Sequence, residues 1–170
     1  MGGQTQVTQY GDFPFWLTVD KGRLVRAFAL TGVNSEVAML VSPSSPINKP
    51  EDLKKMGRPA VVGTTLDSYA EFYLTAMAVI NDLARDKDFT VAGLSMRDAQ
   101  FLPKGTDAVV LWDPHITFSI QKGLGKKISN GYSYFFSTGY DFVRKEIHEN
   151  APDVVQLLAD AAVEAIFYSR

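Results

Sequence analysis

The residues able to do chemistry gather in a few short stretches, and the densest is Gly63-Thr64-Thr65-Leu66-Asp67-Ser68. It follows the apolar run Pro59–Val62 and leads into apolar residues at 66, 70, 73, 77 and 80, the spacing of one helix face. A helix that starts at the carboxyl end of a buried strand presents free N–H groups and the positive end of its dipole, which suits an anion or a polar ligand. Thr64, Thr65 and Asp67 are also helix-capping types, so a plain strand-turn-helix unit accounts for the same residues. Both readings stand at this point.

Other chemistry is sparse. The chain has no cysteine, which excludes disulfides, thiolate nucleophiles and Cys–metal sites. Its two histidines, His115 and His148, are far apart in sequence, so a His-rich metal site is not expected. Gly123-Leu124-Gly125-Lys126-Lys127 looks superficially like a phosphate loop, but it lacks the first glycine at the required spacing and the Ser or Thr after lysine. Asp12, Asp67 and Asp113 each sit at a turn or helix start, where capping explains them. No nucleophile, base and orienting group can be assembled, so neither catalytic residues nor a cofactor is expected.

Composition is that of an ordinary globular chain: 170 residues, 46% apolar and 21% charged, with 17 basic against 19 acidic residues for a net charge of −2. That balance gives no electrostatic case for nucleic acid or an anionic membrane. No apolar run approaches the length of a membrane span. Met1-Gly2-Gly3-Gln4-Thr5-Gln6 has neither a basic nor an apolar leader region, so no signal peptide is read from it.

The elements that must position these residues follow from pattern. Strands are expected over Gln6–Tyr10, Leu24–Leu30, Glu36–Val41, Phe89–Ala92 and Ser133–Thr138, with a short edge strand at Lys127-Ile128. Pro59–Val62 and Ala108–Trp112 have no polar alternation and read as strands covered on both faces. Gly11–Pro14 reads as a turn before a short helix over Phe15–Val19. Further helices are expected over Pro50–Lys55, Leu66–Ala84, Ser95–Leu102, Asp113–Gln121 and Asp141–Glu149, with a last one from Asn150 onward. The chain ends at Arg170 without a capping glycine, as a domain cut short would. Alternation of strands and helices over 58–128 predicts a parallel, helix-covered sheet.

The order and content of these pieces resemble the periplasmic substrate-binding proteins of nitrate, sulfonate and taurine ABC transporters and their thiamine-precursor (THI5/NMT1-like) relatives. Gln6–Pro14 looks like the family's strand and G-D-x-P turn; Glu36–Val41 with Ser45-Pro46-Ile47 and Pro50–Lys54 looks like its V-x-V, S-P-I and D-L-K-G segment. Val61–Thr65 is similar to its strand and G-S-S turn, Gly105–Pro114 to its G-x-V-D-A and W-D/E-P segment, and Gly123–Ile128 to the glycine-rich step that follows. The glycine expected after Lys54-Lys55 is displaced to Gly57 by Met56.

The resemblance implies a type II periplasmic binding fold that is truncated at both ends: one complete α/β lobe, part of a second, and hinge strands between, with ligand held between lobes. Residues 1–57 would form part of the first lobe and the hinge, 58–128 the second lobe, and 129–170 the return strand and helices of the first. The family's ligand contacts fall on Gly11, Asp12 and Phe13, on Thr64, Thr65 and Ser68, and on Trp112 and Asp113. Hydroxyls and N–H groups suit a sulfonate, nitrate or carboxylate, and Phe13 and Trp112 offer flat apolar cover unless they are simply core. The implied function is capture of a small organic anion, or of a thiamine-precursor pyrimidine, without catalysis. The implied partner is a membrane permease, the implied location extracytoplasmic, and no nucleic acid is involved. The alternative is an enzyme on the same scaffold, a desulfinase or pyrimidine-precursor synthase, which the lack of cysteine disfavours. An interaction fragment is the third reading: an incomplete first lobe would leave apolar surface for a homodimer to cover.

Overall fold

The computed structural model describes residues 5–34 and 36–168. In chain order the first elements are β1 (Val7–Gly11), α1 (Asp12–Asp20), β2 (Val25–Asn34) and β3 (Val37–Val41). A 3-10 helix, Pro50–Lys55, leads to β4 (Ala60–Thr64), α2 (Tyr69–Ile80), β5 (Phe89–Gly93), α3 (Met96–Ala99), β6 (Ala108–Trp112), α4 (His115–Gln121) and β7 (Lys126–Asn130). A 3-10 turn at Gly131–Ser133 precedes β8 (Ser137–Arg144), α5 (Lys145–Asn150) and α6 (Pro152–Tyr168). The readings of Met1 to Gln4 and of the chain end at Arg170 lie outside the described residues.

The chain divides into two compact units, Ser35–Phe136 and Met1–Asn34 with Ser137–Arg170. The first holds a five-stranded sheet of order β5-β4-β6-β3-β7. β4 pairs in parallel with both β5 and β6, whereas β3 runs antiparallel to β6 and β7. The sheet is therefore mixed rather than wholly parallel as expected. The expected boundary at 57/58 also moves to 34/35. β3 is apolar at all five positions, Val37 to Val41, and every one is buried, so it belongs between two strands of this sheet and not at a hinge. β6 follows the same logic, with Ala108 to Leu111 fully buried. Tyr73, Leu74 and Met77 of α2 and Leu53 of the 3-10 helix complete one continuous core.

Local chemistry sets the element ends. α2 starts at Tyr69, not Leu66, because Ser68 is the cap: its Oγ accepts from Ala70 N at 3.2 Å. Asp67 and Asp82, just outside the two ends, take left-handed φ of 54° and 53°. Asp107 ties the start of β4 to the loop before β6. Both its oxygens accept from Arg58 at 2.8 Å, and Oδ2 also accepts from Val61 N at 2.7 Å.

The other unit carries an antiparallel sheet of order β1-β8-β2 with α1, α5 and α6. Three readings are corrected here. The last strand begins at Ser137 and not at Ser133: Tyr134 and Phe135 leave the 3-10 turn to meet Tyr73 and Phe72 of α2 edge-on, at 5.5 and 5.0 Å between ring centres. Asp141–Arg144 is strand, not helix, because Asp141 sits in register between Gln9 and Ala29 in the middle of the sheet. Likewise Asp12 to Pro14 belongs to α1 and not to a preceding turn.

Candidate functional site

Strand direction gathers the polar residues of the larger unit at one end of its sheet. β4, β5 and β6 all finish there, with Thr64 and Trp112 as last residues of β4 and β6. β3 begins there, since Val37 lies opposite Trp112, and β7 ends there, since Asn130 lies opposite Ala38. Five sequence-predicted residues, Thr64, Thr65, Ser68, Trp112 and Asp113, thus share one sheet end, the carboxyl edge where α/β sheets hold ligands.

The hydroxyls at this end mostly serve the scaffold. Thr64 is fully buried and donates to Val110 O at 3.4 Å. Thr65 Oγ1 donates to Leu94 O at 2.9 Å, and Ser68 Oγ donates to Thr65 O at 2.6 Å. The backbone N–H of Asp67 is taken by Glu71 Oε2 at 2.8 Å. Among the described residues, the N–H groups of Leu66 and Ser68, like those of Thr65 and Tyr69 beside them, make no hydrogen bond, so they are among the donors that remain for an anion.

The aromatic element is a pair. Trp112 is half-buried and stacks on Tyr69, the first residue of α2, with ring centres 5.1 Å apart and planes at 28°. Tyr69 also donates from its phenol to Glu36 O at 3.3 Å. Burial first, then the nearby charges of Glu36 and Asp113, pushes its ionisation above the ordinary tyrosine range, so it stays a neutral donor. Asp113 Oδ1 accepts from Thr117 N at 3.0 Å and from Thr117 Oγ1 at 2.6 Å, so this carboxylate holds the first turn of α4. Beside it lies a cavity of about 130 Å³ lined by Glu36, Asp113, Lys127, Asn130 and Tyr132 among others. Sequence reasoning missed Tyr69 and Glu36. Ser68-Tyr69-Ala70-Glu71 is a capping-box pattern that would have fixed the helix start and shown Tyr69 as its first residue.

Gly11, Asp12 and Phe13 belong to the other unit, at the β1–α1 junction. Asp12 is saturated. Its Oδ1 accepts from Phe13 N at 2.8 Å and Ser137 Oγ at 2.9 Å; its Oδ2 accepts from Thr138 N and Oγ1, both at 3.1 Å. The carboxylate therefore joins α1 to the start of β8. A cavity of about 370 Å³ in this unit is lined by Arg23, Arg144, Lys145, Glu146 and Glu149, none of which the sequence singled out. Two of its cations are already paired, Arg144 with Glu146 at 3.2 Å and Lys145 with Glu149 at 3.4 Å. Among the described residues no cluster of His, Asp or Glu could hold a metal ion, and no helix is long and apolar enough to cross a membrane.

This architecture is a periplasmic-binding-protein-like α/β fold. Several solved structures share this fold. The periplasmic aliphatic sulphonate binding protein SsuA of Escherichia coli matches 96% of this chain at 20% identity with a TM-score of 0.78, over 56% of its own length. The alkanesulfonate-binding SsuA of Xanthomonas axonopodis pv. citri, solved with MOPS bound, matches 94% at 20% identity and a TM-score of 0.77, again over 56% of its length. The periplasmic nitrate-binding protein NrtA of Synechocystis PCC 6803 matches 96% at 11% identity and a TM-score of 0.71, over 47% of its length. The chain thus spans about half the length of the solved structures it matches. No protein-family model and no curated protein sequence matches it.

Proposed function

We propose that this chain is the ligand-binding portion of an extracytoplasmic solute-binding protein that delivers its cargo to an ABC-type membrane permease and performs no chemistry. The cargo is a small organic anion, of the sulfonate, nitrate or taurine-like class, or a thiamine-precursor pyrimidine. The observation that carries this reading is the convergence of Thr64, Thr65, Ser68 and Trp112 at the carboxyl end of the parallel strands, in a fold shared with sulfonate- and nitrate-binding proteins. In this reading the N–H groups of Leu66 and Ser68 receive the anionic head, with the dipole of α2 behind them. The exposed part of the Trp112–Tyr69 pair covers the organic portion. Thr65 and Ser68 act as positioning residues through their bonds to Leu94 and Thr65, and Asp113 does so through α4. Gly11, Asp12 and Phe13 are proposed as ligand contacts of their own unit.

Calorimetric titration of the purified chain with butanesulfonate, taurine, nitrate and a hydroxymethyl-pyrimidine tests the assignment. Saturable binding of one class, weakened at least tenfold by Trp112→Ala, is the expected result. Folded protein that binds none of the four removes the proposal.

A further inference from the structure

One cavity of the larger unit lies at the same sheet end as the proposed anion site and has chemistry of the opposite sign. It measures about 130 Å³ and is lined by Glu36, Asp113, Ile116, Lys127, Asn130 and Tyr132 among others. Three of these side chains hold an acceptor without a partner. The Glu36 carboxylate makes no hydrogen bond or ion pair among the described residues; only the backbone oxygen of Glu36 is used, by Tyr69. Asp113 accepts twice from Thr117 at Oδ1 and keeps Oδ2 free. Asn130 is the third: its Oδ1 is buried and makes no hydrogen bond. A carbonyl oxygen taken out of water with no donor is costly, so this one points to a donor that arrives from outside the chain. Two carboxylates against one lysine, Lys127, leave the walls with a net charge of −1.

We infer that this cavity is a cation subsite, which receives the ammonium group of a ligand whose sulfonate is held by the N–H groups of Leu66 and Ser68. The cargo is then a short zwitterion of the aminoalkanesulfonate class, and this assignment rests on the anion site proposed above. A primary ammonium has three N–H donors, one each for Glu36, Asp113 Oδ2 and Asn130 Oδ1, and its single charge balances that of the walls. Tyr132, 58% exposed at the same cavity, adds an aromatic ring for the cation. Other occupants fit less well. A hard divalent cation needs about six oxygen ligands or more, and no cluster of His, Asp or Glu among the described residues could hold a metal ion. The volume is below the roughly 150 Å³ that holds a benzene ring, so a small head group fits in preference to a pyrimidine. Nitrate has no second head and would leave all three acceptors bare. The spacing suits a compact ligand. Tyr69 follows Ser68, and its phenol reaches Glu36 O at 3.3 Å, so one tyrosine side chain spans the two subsites. A linker of about two or three carbons covers that span, with a hydrogen bond of about 2.9 Å at either end.

Calorimetric titration of the purified chain should compare taurine with propanesulfonate, which carries a methyl group in place of the ammonium. Taurine should bind about tenfold tighter or more. Glu36→Gln should bring the two affinities to within about threefold of each other, because only the ammonium feels the lost charge. Glu164→Gln, exposed on α6, should keep the preference. The first comparison uses the unmodified chain, so the test does not hang on how Glu36→Gln folds. Propanesulfonate binding as tightly as taurine overturns the inference and leaves the anion site standing. A taurine preference that survives Glu36→Gln does the same, since the ammonium would then sit elsewhere. Folded protein that binds neither sulfonate removes both the cation subsite and the anion site on which it rests.

Discussion

Removing the carboxylate of Asp12 should destabilise one unit and spare the other. The group accepts four hydrogen bonds from Phe13, Ser137 and Thr138, and so fixes the first turn of α1 to the first residues of β8. A hydrogen bond to a charged group nets about 1.5–3 kcal/mol, and a buried donor left without a partner costs about 1–3 kcal/mol. The four share one half-buried acceptor and are not additive, so the loss for Asp12→Ala should be about 3 kcal/mol. With a urea dependence of about 2 kcal/mol per molar, the midpoint should fall by about 1.5 M. Asp12→Asn keeps one acceptor oxygen and should lose about half as much. The assay is built into the sequence: Trp16 lies in α1 and Trp112 in β6, so a Trp112→Phe background reports the unit of Asp12 and a Trp16→Phe background reports the other. A Trp16-detected midpoint that moves by less than about 0.3 M, or a Trp112-detected midpoint that moves equally, would refute the reasoning.

Other expectations follow from the same structure. Leu111→Ala, at a fully buried position of β6, should cost about 2–5 kcal/mol and be seen in the Trp112-detected transition. Asp107 is held below the ordinary carboxylate range first by Arg58 and then by Val61 N–H, and Asp52 is lowered to about 2 by Lys55 and Asn48 N–H. Both folded values lie below the unfolded ones, so their stabilisation is complete above about pH 5 and fades as pH falls toward about 2. Asp107→Asn should flatten that part of the urea-midpoint profile, and an unchanged profile would discount the Arg58 clamp. Tyr69→Ala should uncover Trp112 and shift its emission to longer wavelength in the Trp16→Phe background, while Tyr69→Phe, which keeps the stack, should not.

Legibility in the sequence tracked how locally each feature is determined. Ala108–Trp112 was readable to the residue because five consecutive apolar side chains admit no one-sided strand. The strand-turn-helix at Thr64 was readable for the same reason, whereas the grouping of Thr64, Thr65, Ser68, Trp112 and Asp113 in one lobe was implied only by the family resemblance; all five lie in the larger unit. Tertiary contacts decided the rest. Tyr134 and Phe135 have strand-type side chains, yet they turn to pack on α2, and Asp141 to Arg144 carry helix-like charge spacing inside a sheet register fixed by β1 and β2. The role of Asp12 was hidden because its partners Ser137 and Thr138 lie 125 and 126 residues away. The stacking of Tyr69 on Trp112 needed the β4–β6 register, which no local pattern supplies.

The central claim is that the sheet end after β4 and β6 receives a small anion. Amide-resolved NMR during titration with an alkanesulfonate measures this directly. The account predicts that the backbone signals of Leu66 and Ser68 and the indole of Trp112 move together and saturate at one ligand per chain, while those of α6 stay fixed. Saturable shifts confined to the cavity of Arg23, Arg144 and Lys145, or no shifts at all, would contradict it.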